Sequence, residues 1–205
     1  MAIKYAVGAE ELHVIAQESV KQIRTWLDST FRFRIDQAIY DLGAGGEPAM
    51  QLRVPQLDGR FERFDLYGQT LDEDGHARRA IFVECKDYSG AGNQGTLYDE
   101  YLAVCYSAFV KRSEELQGPA DVEFMWATTH PFLVTHYTEL TTKERIVTAC
   151  ASHAARLGGQ EVDEGIAGQL AERLWLSIVN PRIDEMIPGL PVRAAVAAKL
   201  VEMHS

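Results

Sequence analysis

The sequence has no apolar run approaching the roughly 20 residues that a membrane-crossing helix requires, so a membrane protein is not expected. The opening stretch MAIKYAVGAEELH turns quickly from a short apolar patch to acids and is not expected to act as a secretory signal. Cysteine is scarce: Cys85, Cys105 and Cys150 are odd in number, widely spaced and free of any CxxC. That argues against a disulfide framework and a thiolate zinc site, and it suits reduced thiols in a cytoplasm. None of His13, His76, His130, His136, His153 and His204 stands in an HExxH or similar metal spacing. No GxSxG elbow marks a serine nucleophile and no local signature marks a cysteine one. There is no internal repeat and no low-complexity tract. Positive charge is also short: 20 Lys and Arg stand against 30 Asp and Glu, a net charge of −10. A chain that holds nucleic acid unaided ordinarily carries a basic face, because phosphate contacts dominate affinity. Between residues 51 and 112, eight basic residues meet ten acidic ones. Either positive residues are clustered by the fold, or another protein supplies them, or the substrate is not long duplex DNA.

What is present is an ordinary globular composition, 46% hydrophobic and 24% charged, with clear periodicities. Gly8 to Asp28 predicts a helix: Leu12, Ile15, Ala16, Val20, Ile23 and Leu27 form one apolar stripe. Phe31 to Leu42 alternates as a strand until Gly43, Gly45, Gly46 and Pro48 break it. A short strand is expected over Ala49 to Val54, and a longer one over Phe61 to Leu71. Asp74-Gly75 is a hairpin signal, and Arg79 to Lys86 returns as the partner strand. Thr96 to Glu115 reads as a helix stopped by Gly118-Pro119, and Val122 to Thr129 as a buried strand. Glu139 to Leu157, Glu164 to Ile178 and Val192 to Met203 read as three further helices. The order is helix, three antiparallel strands, helix, strand, helices: an α/β chain with a mixed sheet. A strand that follows a crossover helix is expected to be parallel to the strand before it.

The chemistry sits in Ile81-Phe82-Val83-Glu84-Cys85-Lys86. Side chains alternate along a strand, so Glu84 and Lys86 point one way and Val83 and Cys85 the other. An acid and a lysine in an otherwise apolar strand call for a reason, because burying ions is costly unless they pair or bind metal. Asp65 interrupts the preceding strand in the same way, and the hairpin brings it towards Glu84. Two carboxylates on adjacent strands make a hard, oxygen-rich site suited to Mg²⁺. A lysine beside them is placed to steer a water or to stabilise charge on phosphorus. A surface salt bridge between Glu84 and Lys86 is the plain alternative for those two residues alone.

The stretch Phe64-Asp65, then Val83-Glu84-Cys85-Lys86, then a small-residue loop and a helix resembles the PD-(D/E)XK nuclease superfamily, in particular its restriction-endonuclease-like, Mrr-like and Holliday-junction-resolvase-like members. Phe64 stands where the motif's name has proline. The resemblance implies a restriction-endonuclease-like core over residues 8–134, with residues 135–205 as a helical extension packed on it. It implies Asp65, Glu84 and Lys86 as catalytic residues. It implies Asp65, Glu84 and the backbone carbonyl of Cys85 as ligands of Mg²⁺, with Mn²⁺ able to substitute. Glu11 is the candidate for a further, helix-borne ligand, with Glu18 behind it, and Gln94 is the candidate substrate-binding residue. The implied activity is metal-dependent hydrolysis of phosphodiester bonds, in DNA rather than RNA. The acidic balance points to a protein partner or a homodimer, within a bacterial restriction or phage-defence system. The other reading is a catalytically inactive assembly or binding subunit on the same fold.

Gly90-Ala91-Gly92-Asn93-Gln94-Gly95 spells GxGxxG after a strand and before a helix. The context opposes a dinucleotide site: Glu84 and Lys86 interrupt the strand, and the next strand ends Thr128-Thr129-His130 without the expected acid. A loop beside a groove is the expectation instead. Cys85 is expected to pack in the core opposite the site, Trp126 and Trp175 to be core, and His76 to lie at the hairpin tip. Tyr88 and Tyr98 flank the glycine loop, and packing accounts for them as well as base stacking does.

Overall fold

In the computed structural model, residues 9–41, 50–87, 93–179 and 199 are described. The predicted helix Val192–Met203, Tyr88 and the glycines of residues 90–92 lie outside the described residues, Lys199 apart. The chain is mixed α/β, with a five-stranded mixed sheet and four α-helices among the described residues. No described helix is long and apolar enough to cross a membrane.

Helix α1 (Ala9–Ser29) leads into β1 (Phe33–Ala38). A small ribbon of β2 (Arg53–Pro55) and β3 (Phe61–Arg63) follows, then β4 (Leu66–Leu71) and β5 (Ala77–Lys86). Helix α2 (Gln94–Leu116) carries the chain over to β6 (Val122–Thr128). Then come α3 (Lys143–Ser152), a 3₁₀ turn (Ala154–Leu157), α4 (Glu164–Ala171) and β7 (Leu174–Ile178). The sheet order is β1-β4-β5-β6-β7. β4 is antiparallel to β1 and β5, and β6 is parallel to β5 and β7. The parallel β5-α2-β6 crossover is the one that the sequence order requires.

The two faces of the sheet bury different cores. Ile81, Val83 and Cys85 of β5 meet Val20, Ile23 and Leu27 of α1 on one face. Phe82 and Phe124 meet α2 on the other, and α3 and α4 cover the far side of α2. Helix α2 is therefore a middle layer. Every residue from Tyr101 to Val110 is buried, as a helix covered on both sides demands. Each large apolar side chain fully withdrawn from water there contributes roughly 1.5–3 kcal/mol. At the near end of the α1 face, Phe33 of one edge strand meets Trp175 of the other, with ring centroids 5.5 Å apart. A flat five-stranded sheet would hold its edges about 19 Å apart, so these side chains reach towards each other over a curled sheet.

Gly68 is required by the β1–β4 pairing: a Cβ there would lie 2.1 Å from the Arg34 carbonyl, beside the irregularity between Ile35 and Gln37. The Asp74-Gly75 hairpin forms as predicted. Gly75 adopts φ 80°, and Asp72 closes the turn by exchanging main-chain hydrogen bonds with Gly75 and His76.

Four expectations are corrected. The predicted strand Phe61–Leu71 is broken at Phe64-Asp65, where the chain leaves the ribbon and enters the large sheet. The helix predicted to Ile178 ends at Ala171, and Leu174–Ile178 is a strand that β6 recruits in parallel. The helix predicted over Glu139–Leu157 is α3 flanked by 3₁₀ turns. Trp175, expected in the core, lies on an edge strand and is 37% exposed.

Candidate active site

The break at Phe64-Asp65 makes the site. Phe64 N donates to Leu52 O at 3.0 Å, on the ribbon side, while Asp65 N donates to Val83 O at 3.1 Å, in the large sheet. One residue later Leu66 pairs with Val83, so continuing that register sets Asp65 opposite Glu84. Phe64 drops into the α2-side core. The Asp65 carboxylate takes the place of a ladder carbonyl: Cys85 N donates to its Oδ2 at 2.8 Å. That bond fixes the carboxylate to the backbone of the strand that carries Glu84 and Lys86.

On β5 the alternation holds as expected. Cys85 is buried with the α1-side core, while Glu84 and Lys86 line the α2 side at 21% and 29% side-chain exposure. Lys86 Nζ donates to Glu84 Oε1 at 2.5 Å and sits 5.6 Å from the centre of the Trp126 ring. Burial raises the Glu84 carboxyl to about 7, with the Asp65 charge adding to the rise and Lys86 opposing it. Burial also raises Asp65, against the Cys85 amide hydrogen bond and the positive charges of Lys86 and Arg63. Two half-buried carboxylates thus stand together beside the Lys86 ammonium, an arrangement that favours holding a proton unless a cation takes its place. Their oxygen donors fit a hard divalent cation.

Glu84 and Lys86 open onto a cavity of about 160 Å³, walled by β3, β5, β6, α2 and the 3₁₀ turn at Ala154–Leu157. Glu62, Glu100 and Arg156 line it too. Arg156 Nη1 donates to Glu62 Oε2 at 2.8 Å and Nη2 to Glu100 Oε1 at 2.6 Å. Sequence reasoning missed these three residues. No local pattern joins a glutamate on a ribbon, another on a helix and an arginine 94 positions from the first.

Of the remaining candidates, Glu18 and Gln94 are not gathered here. Glu11 falls in the first turn of α1, and its side chain lies outside the described residues. Glu18 is exposed and ion-paired to Lys21 at 3.4 Å, on a helix that packs against the other face of the sheet. Gln94 is fully buried: its Oε1 accepts from Thr128 Oγ1 at 3.1 Å and its Nε2 donates to His130 O at 3.4 Å. It clasps the start of α2 to the end of β6 and is not presented to a substrate. Among the described residues, the three-residue group with metal-ligand spacing is Asp72, Asp74 and His76 at the hairpin tip. There Asp72 Oδ1 accepts the amides of Asp74 and His76 at 3.0 and 2.8 Å, which is turn bracing.

No family model and no curated protein matches the sequence. One solved structure with a likeness to the chain is that of the Acinetobacter baumannii Cap4 SAVED/CARF-domain containing receptor with the cyclic trinucleotide 2'3'3'-cAAA. The match covers 91% of this chain and 34% of that one, at 11% identity and a TM-score of 0.33. The chain thus spans about a third of that protein's length, and a likeness at this level carries no argument about fold or function.

Proposed function

We propose that this chain is a metal-dependent nuclease with a restriction-endonuclease-like core, hydrolysing phosphodiester bonds in DNA. The observation that supports it is the pairing of Asp65 with Glu84 at the corner where β4 enters the sheet, beside Lys86. Asp65, Glu84 and the Cys85 carbonyl would hold Mg²⁺, or Mn²⁺ in its place. Such an ion, when bound, supplies charge to polarise the scissile phosphate and to acidify a water. The chain's own residues do the rest. Asp65 is held rigid by the Cys85 amide. Glu84 gives up the proton that burial encourages it to keep. Lys86, beside that pair, would orient a water at Nζ for in-line attack. The net charge of −10 supports a protein partner or a homodimer that brings the nucleic acid, as in a bacterial restriction or phage-defence system.

The test is cleavage of plasmid, linear duplex, single-stranded DNA and RNA with Mg²⁺, Mn²⁺ or EDTA, beside Asp65→Ala and Lys86→Ala. Metal-dependent cleavage lost in both variants is the expected result, and cleavage that survives in both refutes the assignment. The close Glu84–Lys86 ion pair favours a second reading, an inactive assembly subunit in which the pair is structural. That reading requires both variants to keep full biological activity.

A further inference from the structure

The cavity beside Glu84 is furnished for more than a cation. Its carboxylates already face positive groups: Glu84 meets Lys86, and Glu62 and Glu100 meet Arg156. The spare capacity is in donors. Arg156 uses two of its five N–H groups on the two glutamates, and its side chain stays 17% exposed. Trp126, only 1% exposed, lines the same wall.

Arg156 is also rigidly placed. Its amide donates to His153 O at 2.9 Å, its carbonyl accepts from Ser107 Oγ at 2.9 Å, and Leu157 beside it is buried. The volume, about 160 Å³, falls well short of the roughly 300–1,000 Å³ that encloses a drug-sized ligand. It admits one phosphate group with its water, not a base pair.

We propose that this cavity is a phosphate subsite for the nucleic-acid strand, with Arg156 as its contact. The proposal rests on the nuclease reading and adds to it a positioning residue from the segment beyond residue 134. Five charged side chains line the cavity, three acidic and two basic. With Asp65 counted, four acids stand against two basic groups, and a divalent cation at Asp65 and Glu84 brings the local balance to neutral, so that a phosphodiester meets the Arg156 donors without net repulsion.

The test is fluorescence anisotropy with a labelled oligothymidine, with Ca²⁺ replacing Mg²⁺, over a salt series. Arg156→Ala is expected to weaken binding about 10-fold and to flatten the dependence of log K on log salt by about 0.7, the value for one contact to a single strand. Glu100→Gln is expected to tighten binding about 3-fold by freeing a guanidinium donor, and the gain disappears in Glu100→Gln/Arg156→Ala. Arg156→Lys keeps the salt slope with weaker binding, and it serves if the alanine variant does not fold. An arginine that only ties the turn to the core leaves the slope untouched and gives Glu100→Gln no Arg156-dependent gain, and either result overturns the proposal. If the unmodified protein does not bind the probe at all, this subsite is overturned, while the nuclease reading, which allows a partner to bring the nucleic acid, stands or falls by the cleavage test. Normal binding with an unchanged slope removes the Arg156 subsite alone.

Discussion

Glu84 makes a prediction that needs no substrate. Its carboxyl is raised from 4.5 to about 7 in the folded chain, so between those values the folded form holds a proton that the unfolded form has released. Stability therefore falls as pH rises through that window, and the full penalty stands above about 7. The rise corresponds to roughly 3 kcal/mol as an upper bound, a large part of the 5–15 kcal/mol that ordinarily separates folded from unfolded states. Glu84→Gln removes the titration. It also leaves Lys86 without its carboxylate, which lowers stability at acid and alkaline pH alike, so the slope is diagnostic and the absolute value is not. Urea unfolding followed by far-ultraviolet circular dichroism in EDTA, at about pH 5 and about pH 8, should show the wild type losing up to ~3 kcal/mol more than the variant between the two. Adding Mg²⁺ at about 100 times its dissociation constant should return about 2.7 kcal/mol to the wild type at the higher pH, and much less to Glu84→Gln. Parallel pH slopes in the two proteins would refute the claim that buried like charges strain this site.

The proposed activity makes further predictions. Cleavage should rise as pH passes through about 7, because Glu84 binds metal only when deprotonated, and a flat rate from about pH 6 to about pH 8 would contradict this. Asp65→Ala and Lys86→Ala should each lower the cleavage rate by about 100-fold or more while remaining folded at the assay temperature, Asp65→Ala with a lowered melting point because the Cys85 amide loses its acceptor. A variant that unfolds instead would show a structural role. Gly68→Ala should cost about 2 kcal/mol or more, since its Cβ collides with the Arg34 carbonyl, and an unchanged melting temperature would deny that approach. Trp175→Phe should cost about 1–3 kcal/mol in thermal unfolding, because it takes a 2.7 Å hydrogen bond from the buried Glu123 carboxylate, and Arg79 alone then faces that charge.

The parts legible in sequence were those with local causes. Glu84 and Lys86 share a face because side chains alternate with period two. Asp74-Gly75 fixes the hairpin that brings β4 to β5. Cys85 was expected opposite the site and is buried there. The parts that were not legible depend on contacts between distant residues. Leu174-Trp-Leu-Ser-Ile is an apolar run that either a helix or a strand accommodates, and no glycine or proline separates it from α4; the open edge of β6 decides. Gln94 lies in the expected place in sequence, but the end of β6 turns it inward to Thr128. Arg156 is an unremarkable residue in the last turn of the helix predicted over Glu139–Leu157 until the fold sets it between Glu62 and Glu100.

The corner at Phe64-Asp65 sets how tolerant each part of the chain is to changes in length. Between Asp72 and His76 an added residue only lengthens a solvent-facing tip, and the cost grows slowly with loop size. Between Arg63 and Leu66 the same insertion shifts the alternation by one step and carries the Asp65 carboxylate to the opposite side of the sheet from Glu84. Insertions at the tip should therefore be readily accepted in a random library, whereas the two-residue corner should admit substitutions and no change of length.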